Sequence, residues 1–359
     1  MVFDRALRRE LTQTAVAVFV ALFAILLTTQ LVRLLNEAAG GRVAAEAVVA
    51  LLGFAALNYL PTVLALTLFI AVLLTLSRSY RDSEMVVWFS SGVPLTAWVR
   101  PIIRFAIPVV LAAGLISLFL TPWANYQSLQ YREVMTRRGD GTPASPGVFR
   151  ESASGDRVVF VEAVDDAVSQ VRNVFVSSVR NGRLGVVVAA QGQQELAASG
   201  DRLLVLENGR RYEVASGSPE IQMIEFDRYR MRVETKEVRG TERTPRTMTT
   251  AELLTSSEPP AQAELLWRIG LPITAMVLSL LAIPLSFVNP RAGRSANLLF
   301  ALFAFVTYLN LLSISQAWVA QARIPFALGW WLVHVVMMVA LLILFLHRLR
   351  VYSIFRAWR

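Results

Sequence analysis

Six long apolar runs, at 11–35, 48–77, 100–122, 267–288, 296–319 and 327–347, leave this chain few folds to adopt. Each meets the length of about 20 residues that a helix needs to cross a bilayer. The central parts of all six lack Asp, Glu, Lys and Arg. Backbone polar groups in hydrocarbon must satisfy one another within the segment, so runs of this kind fold as helices. Residues 124–262 are a different material. Short Val-, Phe- and Ile-rich runs at 157–164, 171–180, 183–190, 201–207, 210–216 and 221–234 are parted by turn-forming residues. Asn181-Gly182 and Asn208-Gly209 carry the signal of a two-residue hairpin. Short strands without intervening helices predict an all-β domain. The expected fold is a polytopic α-helical membrane protein with six transmembrane helices and an inserted all-β domain. Its expected parts are 1–123, 124–262 and 263–359.

Composition agrees with that reading and narrows the function classes. The chain is 55% hydrophobic with a net charge of +9. The charge follows topology. Arg5, Arg8, Arg9, Arg78, Arg81, Arg100, Arg104, Arg291, Arg294, Arg348 and Arg350 flank one set of span ends, and the opposite ends are poorer in arginine. The positive-inside rule then puts both termini in the cytoplasm and the insert on the far side. A nucleic-acid partner is not needed to explain the basicity. The first run lacks a small-residue cleavage site and reads as a retained anchor. There is no cysteine, and His334 and His347 are the two histidines, so thiolate or multi-histidine metal sites are not expected. No phosphate-binding Gly-rich loop ending in Lys-Ser or Lys-Thr occurs, and no Ser-His-Asp arrangement can be assembled. The expectation is a non-enzyme that binds no metal or cofactor of its own.

Residues 78–99, between the second and third apolar runs, carry the signals of a short surface helix. Asp82 is placed to cap its start, and Glu84 lies in the first turn, where a carboxylate suits the helix dipole. Gly92 suits the left-handed residue at its end, with Pro94 just beyond. Met85, Val86, Val87, Trp88 and Phe89 make an apolar run too short to span anything. Such a helix serves either as an interfacial anchor or as a docking element for a soluble partner. Arg33, near the far end of span one, either snorkels to headgroups or faces an anionic lipid. Asn58, Asn310 and Gln316 read as interhelical hydrogen-bond donors and His334 as a packed helix residue. Thr249/Thr250-Ala-Glu252 reads as a capped helical turn, and Glu264 and Arg268 as an exposed i,i+4 pair. Three classes fit this layout: a permease driven by a separate ATPase, a scaffold anchoring a β domain, and an ion-coupled carrier. The lack of a charged group in mid-span weighs against the carrier.

Three motifs carry a resemblance. They are Ser77-Arg78-Ser79-Tyr80-Arg81-Asp82-Ser83-Glu84-Met85 with Gly92, then Ala263-Glu264-Leu265 with Trp267-Arg268, then Pro284-Leu285-Ser286 with Val288-Asn289-Pro290-Arg291 and Gly293-Arg294. With the six-span layout, they resemble the lipopolysaccharide-export permeases over essentially the full length, and the Asn289-Pro290-Arg291 run leans toward the F type. The resemblance implies a subunit of a bacterial (Gram-negative) inner-membrane ABC transporter. It implies pairing with a G-type permease (LptG) above a cytoplasmic ATPase dimer (LptB) that uses ATP and Mg. It also implies periplasmic jellyroll bridge proteins (LptC and LptA), lipopolysaccharide as the substrate, and a periplasmic jellyroll-like insert. Asp82, Glu84, Met85, Val87, Trp88 and Gly92 would then form the ATPase-coupling element. Arg33 and Arg42 would meet the lipid A phosphates, and Phe300, Phe303 and Leu311 the acyl chains.

Overall fold

A computed structural model of the chain describes residues 2–40, 43–141, 147, 149–151, 157–165, 170–180, 183–196, 202–215, 221–232, 244–287 and 294–357. Two compact units emerge. One joins Met1–Glu133 to Arg243–Arg359, and the other is Val134–Glu242. The β unit is narrower than the 124–262 segment because residues 244–262 pack with the helices.

In the helical unit, α1 (Val2–Ala39) and α2 (Val48–Arg81) form an antiparallel pair, followed by the short α3 (Glu84–Ser90). Span three is one continuous rod of α4 (Val99–Leu115), a π-helical turn (Ile116–Leu120) and α5 (Thr121–Gly141). After the insert come α6 (Thr250–Thr255), α7 (Pro259–Leu285), α8 (Arg294–Ala320) and α9 (Phe326–Ala357). Among the described residues, six helices are long and apolar enough to cross a membrane.

Helix α7 is the hub, packing against α2, α4, α8 and α9. It buries Val277, Leu278, Leu281 and Ile283 beside Phe69, Val72 and Leu76 of α2, Phe305 and Tyr308 of α8 and Met337 of α9. By contrast, α1 exposes Val16, Val20 and Ile25, and α8 exposes Leu299, Phe300 and Phe303. Prolines 61, 108, 272 and 284 all sit inside helices that continue past them. In hydrocarbon a freed carbonyl has neighbouring helices and side chains to meet it, which is why proline is tolerated there. His334 is buried, with Nδ1 2.8 Å from the Tyr308 hydroxyl. Asn310 departs from expectation: its amide donates to Val306 O at 2.9 Å on its own helix.

The β unit is a six-stranded antiparallel meander in the order β1 (Arg150–Glu151), β2 (Arg157–Asp165), β3 (Gln170–Arg180), β4 (Arg183–Leu196), β5 (Arg202–Ala215) and β6 (Ile221–Arg232). One face packs Val171, Val174, Val176, Val187, Ala189 and Leu206 into a single cluster. Strands β3 and β4 pair as far as Arg180 opposite Arg183, the register of a two-residue connection; Asn181 and Gly182 lie outside the described residues. Asn208-Gly209 forms no hairpin, contrary to its sequence signal. It lies inside β5, where Asn208 has φ +54° and the ladder resumes on either side in the same register. Asn173 of β3, at φ +48°, interrupts pairing in the same row, so Glu162, Asn173, Ala190, Asn208 and Asp227 form a crease across five strands. Gly209 is required for close approach rather than for a turn. A Cβ there would fall 2.5 Å from the Val188 carbonyl oxygen and the Phe226 ring.

Candidate functional site

The α2–α3 turn is built by backbone strain and one arginine. Ser83, at φ +59°, is the residue before α3 and makes no side-chain cap. Asp82 therefore does not cap the helix, as the sequence suggested. It ends α2, and its carboxylate accepts from Arg78 Nη1 at 3.0 Å. The same guanidinium donates to Glu84 Oε1 at 3.0 Å and to Glu10 Oε2 at 2.8 Å. Its Nε also pairs with Glu10 of α1. One cation thus holds three carboxylates from α1, the turn and α3. At the other end Gly92 takes φ +88°, and its N–H donates to Phe89 O at 3.1 Å, as expected of a left-handed helix end.

The apolar run of α3 divides by face. Met85, expected among the groups that fill a partner's groove, is 1% exposed and packs in the chain's own core with Tyr80, Leu95 and Trp98. Trp88 and Phe89 lie half-buried against that core. Val86 and Val87 are each 65% exposed. The helix is bolted down by Met85 and presents Glu84, Val86 and Val87. The motif at the end of α7 meets this turn: Ser77 Oγ donates to Ser286 O at 3.1 Å, and the Tyr80 and Phe287 rings stack edge-on at 5.5 Å. Two of the three sequence motifs therefore form one structure. Residues 288–293 lie outside the described residues.

At the opposite end of α1 and α2 lies a polar cleft of about 140 Å³ lined by Gln30, Arg33, Glu37, Asn58, Asn125 and Arg132 among others. Glu37, missed in the sequence, accepts from Arg33 Nε at 3.3 Å and from Arg132 Nη1 at 3.1 Å. The Arg33 side chain stays 66% exposed. Asn58 lines this cleft. Phe300 and Phe303 are exposed on α8, Leu311 is half-buried against the core, and none of the three lines the cleft. Arg42 lies outside the described residues. Among the described residues no cluster of acidic residues or histidines is arranged to hold a metal.

This chain, with six spans, an inserted β unit and an α2–α3 turn joined to the end of α7, is matched over nearly its whole length by one family, described as lipopolysaccharide export system permease LptF/LptG, at residues 5–347. The chain belongs to the LptF/LptG permease family. It is similar to the lipopolysaccharide export system permease proteins LptF of Escherichia coli K12, Escherichia coli O157:H7 and Shigella flexneri. Each is 27% identical over 348 residues, covering 96% of this chain and 94% of the relative. Of the three classes that the layout allowed, membership selects the permease. This LptF/LptG permease is a multi-pass inner-membrane subunit for lipopolysaccharide export, a transporter subunit rather than a catalytic enzyme.

Sequence reading missed two groups of this permease. Arg132 and Glu37 have no visible relation in the sequence, since 95 residues separate them. Arg268 read as half of an exposed pair, yet it is 1% exposed and bonded to Glu264 Oε1 at 2.9 Å. The signal available was an arginine inside an apolar run, at its second position, where a charge needs a partner.

Proposed function

We propose that this permease is the F-type subunit, paired with a G-type permease (LptG) over a dimer of a separate ATPase (LptB), which binds ATP and Mg and hydrolyses the nucleotide. Helix α3 docks in a groove of that ATPase on the cytoplasmic side. Glu84 supplies the polar contact and Val86 and Val87 the apolar one, while Met85 and Gly92 keep the helix rigid. Lipopolysaccharide, drawn from the outer leaflet, places a lipid A phosphate on Arg33 and Arg132 and its acyl chains along the exposed face of α8 at Phe300 and Phe303. The β insert, on the periplasmic side, receives the lipid and hands it to bridge proteins (LptC and LptA). Both termini are cytoplasmic.

One observation carries this reading. Helix α3 is a short helix held at its inner face by core packing, with a carboxylate and two valines turned outward. A lever must be rigid where it joins the moving body and adhesive where it meets the motor. Arg–phosphate contacts are charge-assisted and bidentate, so they orient as well as bind. Purification in mild detergent should recover a second six-span chain, an ATPase and lipopolysaccharide. Glu84→Lys and Val87→Asp should each lower ATPase retention by about tenfold, a shift of about 1.4 kcal/mol, with the permease pair intact. Recovery of the chain alone under several detergents, or full ATPase retention by both variants, would overturn the reading.

A further inference from the structure

Arg268 uses every N–H it has. Nε donates to Glu264 Oε1 at 2.9 Å; Nη1 donates to Met248 O at 3.0 Å and Thr250 Oγ1 at 3.3 Å; Nη2 donates to Pro245 O at 3.3 Å and Arg246 O at 3.2 Å. Five donors in a planar fork are an arginine property, and a lysine has three from one point. Three of the acceptors are backbone carbonyls of residues 245–248. That segment owns one 3-10 turn, Pro245–Thr247, and leads into α6, which is six residues long. Helices this short do not hold themselves in place. Span four therefore dictates where this strap lies.

The same knot takes in span three. Ser117 Oγ donates to the backbone carbonyl of Arg268 at 3.1 Å. The Thr250 hydroxyl donates to the Leu118 carbonyl inside the π-helical turn. Asn125 Nδ2 donates to Arg246 O at 3.4 Å. π-helical turns recur at functional positions. Here the residue four on from Leu118 is Pro122, which has no N–H to give its carbonyl, and the Thr250 hydroxyl supplies a donor. The chain that leaves for the β insert and the chain that returns from it are thus fastened to each other and to α7.

We propose that Arg268 is a positioning residue for transport: it makes the strap 244–250 move as one body with span four and the span-three π turn. Helix rearrangement in the transport cycle is then passed to the strap by which the chain returns from the β insert. The inference rests on the proposed handover of lipid to the insert.

The test uses the complete complex, both permeases with the ATPase, in proteoliposomes containing lipopolysaccharide. A photo-cross-linking residue at Phe226 reports lipid arriving at the β unit, and ATP turnover is read in parallel. Arg268→Lys keeps the charge beside Glu264 but loses the fork to the strap. We expect assembly to persist, ATP turnover to stay within about twofold and ATP-dependent cross-linking to fall by about fivefold or more, the lower end of typical coupling effects. The chain has no cysteine. Asn125→Cys with Arg246→Cys, joined by a short bis-maleimide, therefore re-fastens the strap and should restore about half of the lost cross-linking in the Arg268→Lys background, as expected if coupling is what was lost. Full cross-linking by Arg268→Lys, an equal loss of turnover and cross-linking, or a deficit the tether does not repair would each overturn the inference. If Arg268→Lys does not accumulate, Thr250→Val, which removes the bonds to Leu118 O and Arg268, is read by the same criteria. No cross-linking in the unaltered complex would overturn the handover reading, and this inference with it.

Discussion

Two arginine clusters, at opposite ends of one helical unit, use the same side chain in contrary ways. Arg78 is 39% exposed and is shared by three carboxylates, Glu10, Asp82 and Glu84. Water screens each of those pairs and competes for both partners, so each is worth about 0–1 kcal/mol and any one is easily exchanged. Arg268 is dry, and its donors are saturated by one carboxylate, three carbonyls and a hydroxyl. Nothing there exchanges without unfolding the strap. The contrast separates a joint that can release Glu84 to a partner from a joint that cannot let go. Geometry alone would not distinguish them, since both show arginine–carboxylate contacts near 3 Å; hydration does.

The largest break in the comparison is Arg268→Ala. It strands the Glu264 carboxylate and the carbonyls of Pro245, Arg246 and Met248 in a water-poor site. Removing one partner of a buried pair costs about 3–5 kcal/mol, a large fraction of the 5–15 kcal/mol by which a typical domain is stable. The expected result is poor accumulation in membranes or a sharply lowered thermal midpoint, far below that of Arg78→Ala. Similar losses for the two alanine variants would abolish the distinction.

Glu10→Gln should act in the same direction but far more weakly. It keeps the shape of the side chain and removes one of three negative charges around Arg78. The expected stability loss is under about 1 kcal/mol. Salt should shrink it further, because the Debye length falls from about 10 Å at 0.1 M to about 3 Å at 1 M. A thermal midpoint measured at both salt concentrations checks this. A large, salt-insensitive loss would mean that the Arg78 cluster is as dry as that of Arg268.

How far the sequence foretold this molecule depends on which physical scale carried the information. Span length and apolarity are local, and all six spans lie where they read. The capping box Thr249–Glu252 is equally local: the N-cap hydroxyl accepts from Glu252 N at 3.3 Å, and the Glu252 carboxylate accepts from Thr249 N at 2.7 Å. Gly92 announced its positive φ. The failures are of another kind. Asn208-Gly209 has the composition of a hairpin, but pairing with β4 and β6 on both sides overrides it. Met85 was grouped with Val86 and Val87 because a run of five apolar residues does not say which face meets its own core. Arg132 with Glu37, and Arg268 with the strap, depend on contacts between segments distant in the chain. Each of those partners looked like an ordinary flanking charge until the fold supplied a burial and a neighbour.

Asp82→Ala is the smallest and the sharpest test, because two accounts of one residue predict different numbers. If the aspartate capped α3, alanine would cost about 1 kcal/mol, the usual loss at an N-cap. In the structure the residue before α3 is Ser83 in the left-handed region, and Asp82 instead makes a half-exposed i,i+4 pair with Arg78 at 3.0 Å. Such a pair is worth about 0.3–0.5 kcal/mol, and Arg78 keeps Glu10 and Glu84 when it is lost. The expected change is therefore near the limit of detection, and ATPase retention should be unaltered, since Asp82 belongs to the end of α2 and not to the outward face of α3. A loss of about 1 kcal/mol with frayed exchange at the amides of Glu84–Val87 would restore the cap. It would also mean that the Arg78 cluster shapes α3 from its first turn, making it a rigid joint like that of Arg268 and not an exchangeable one.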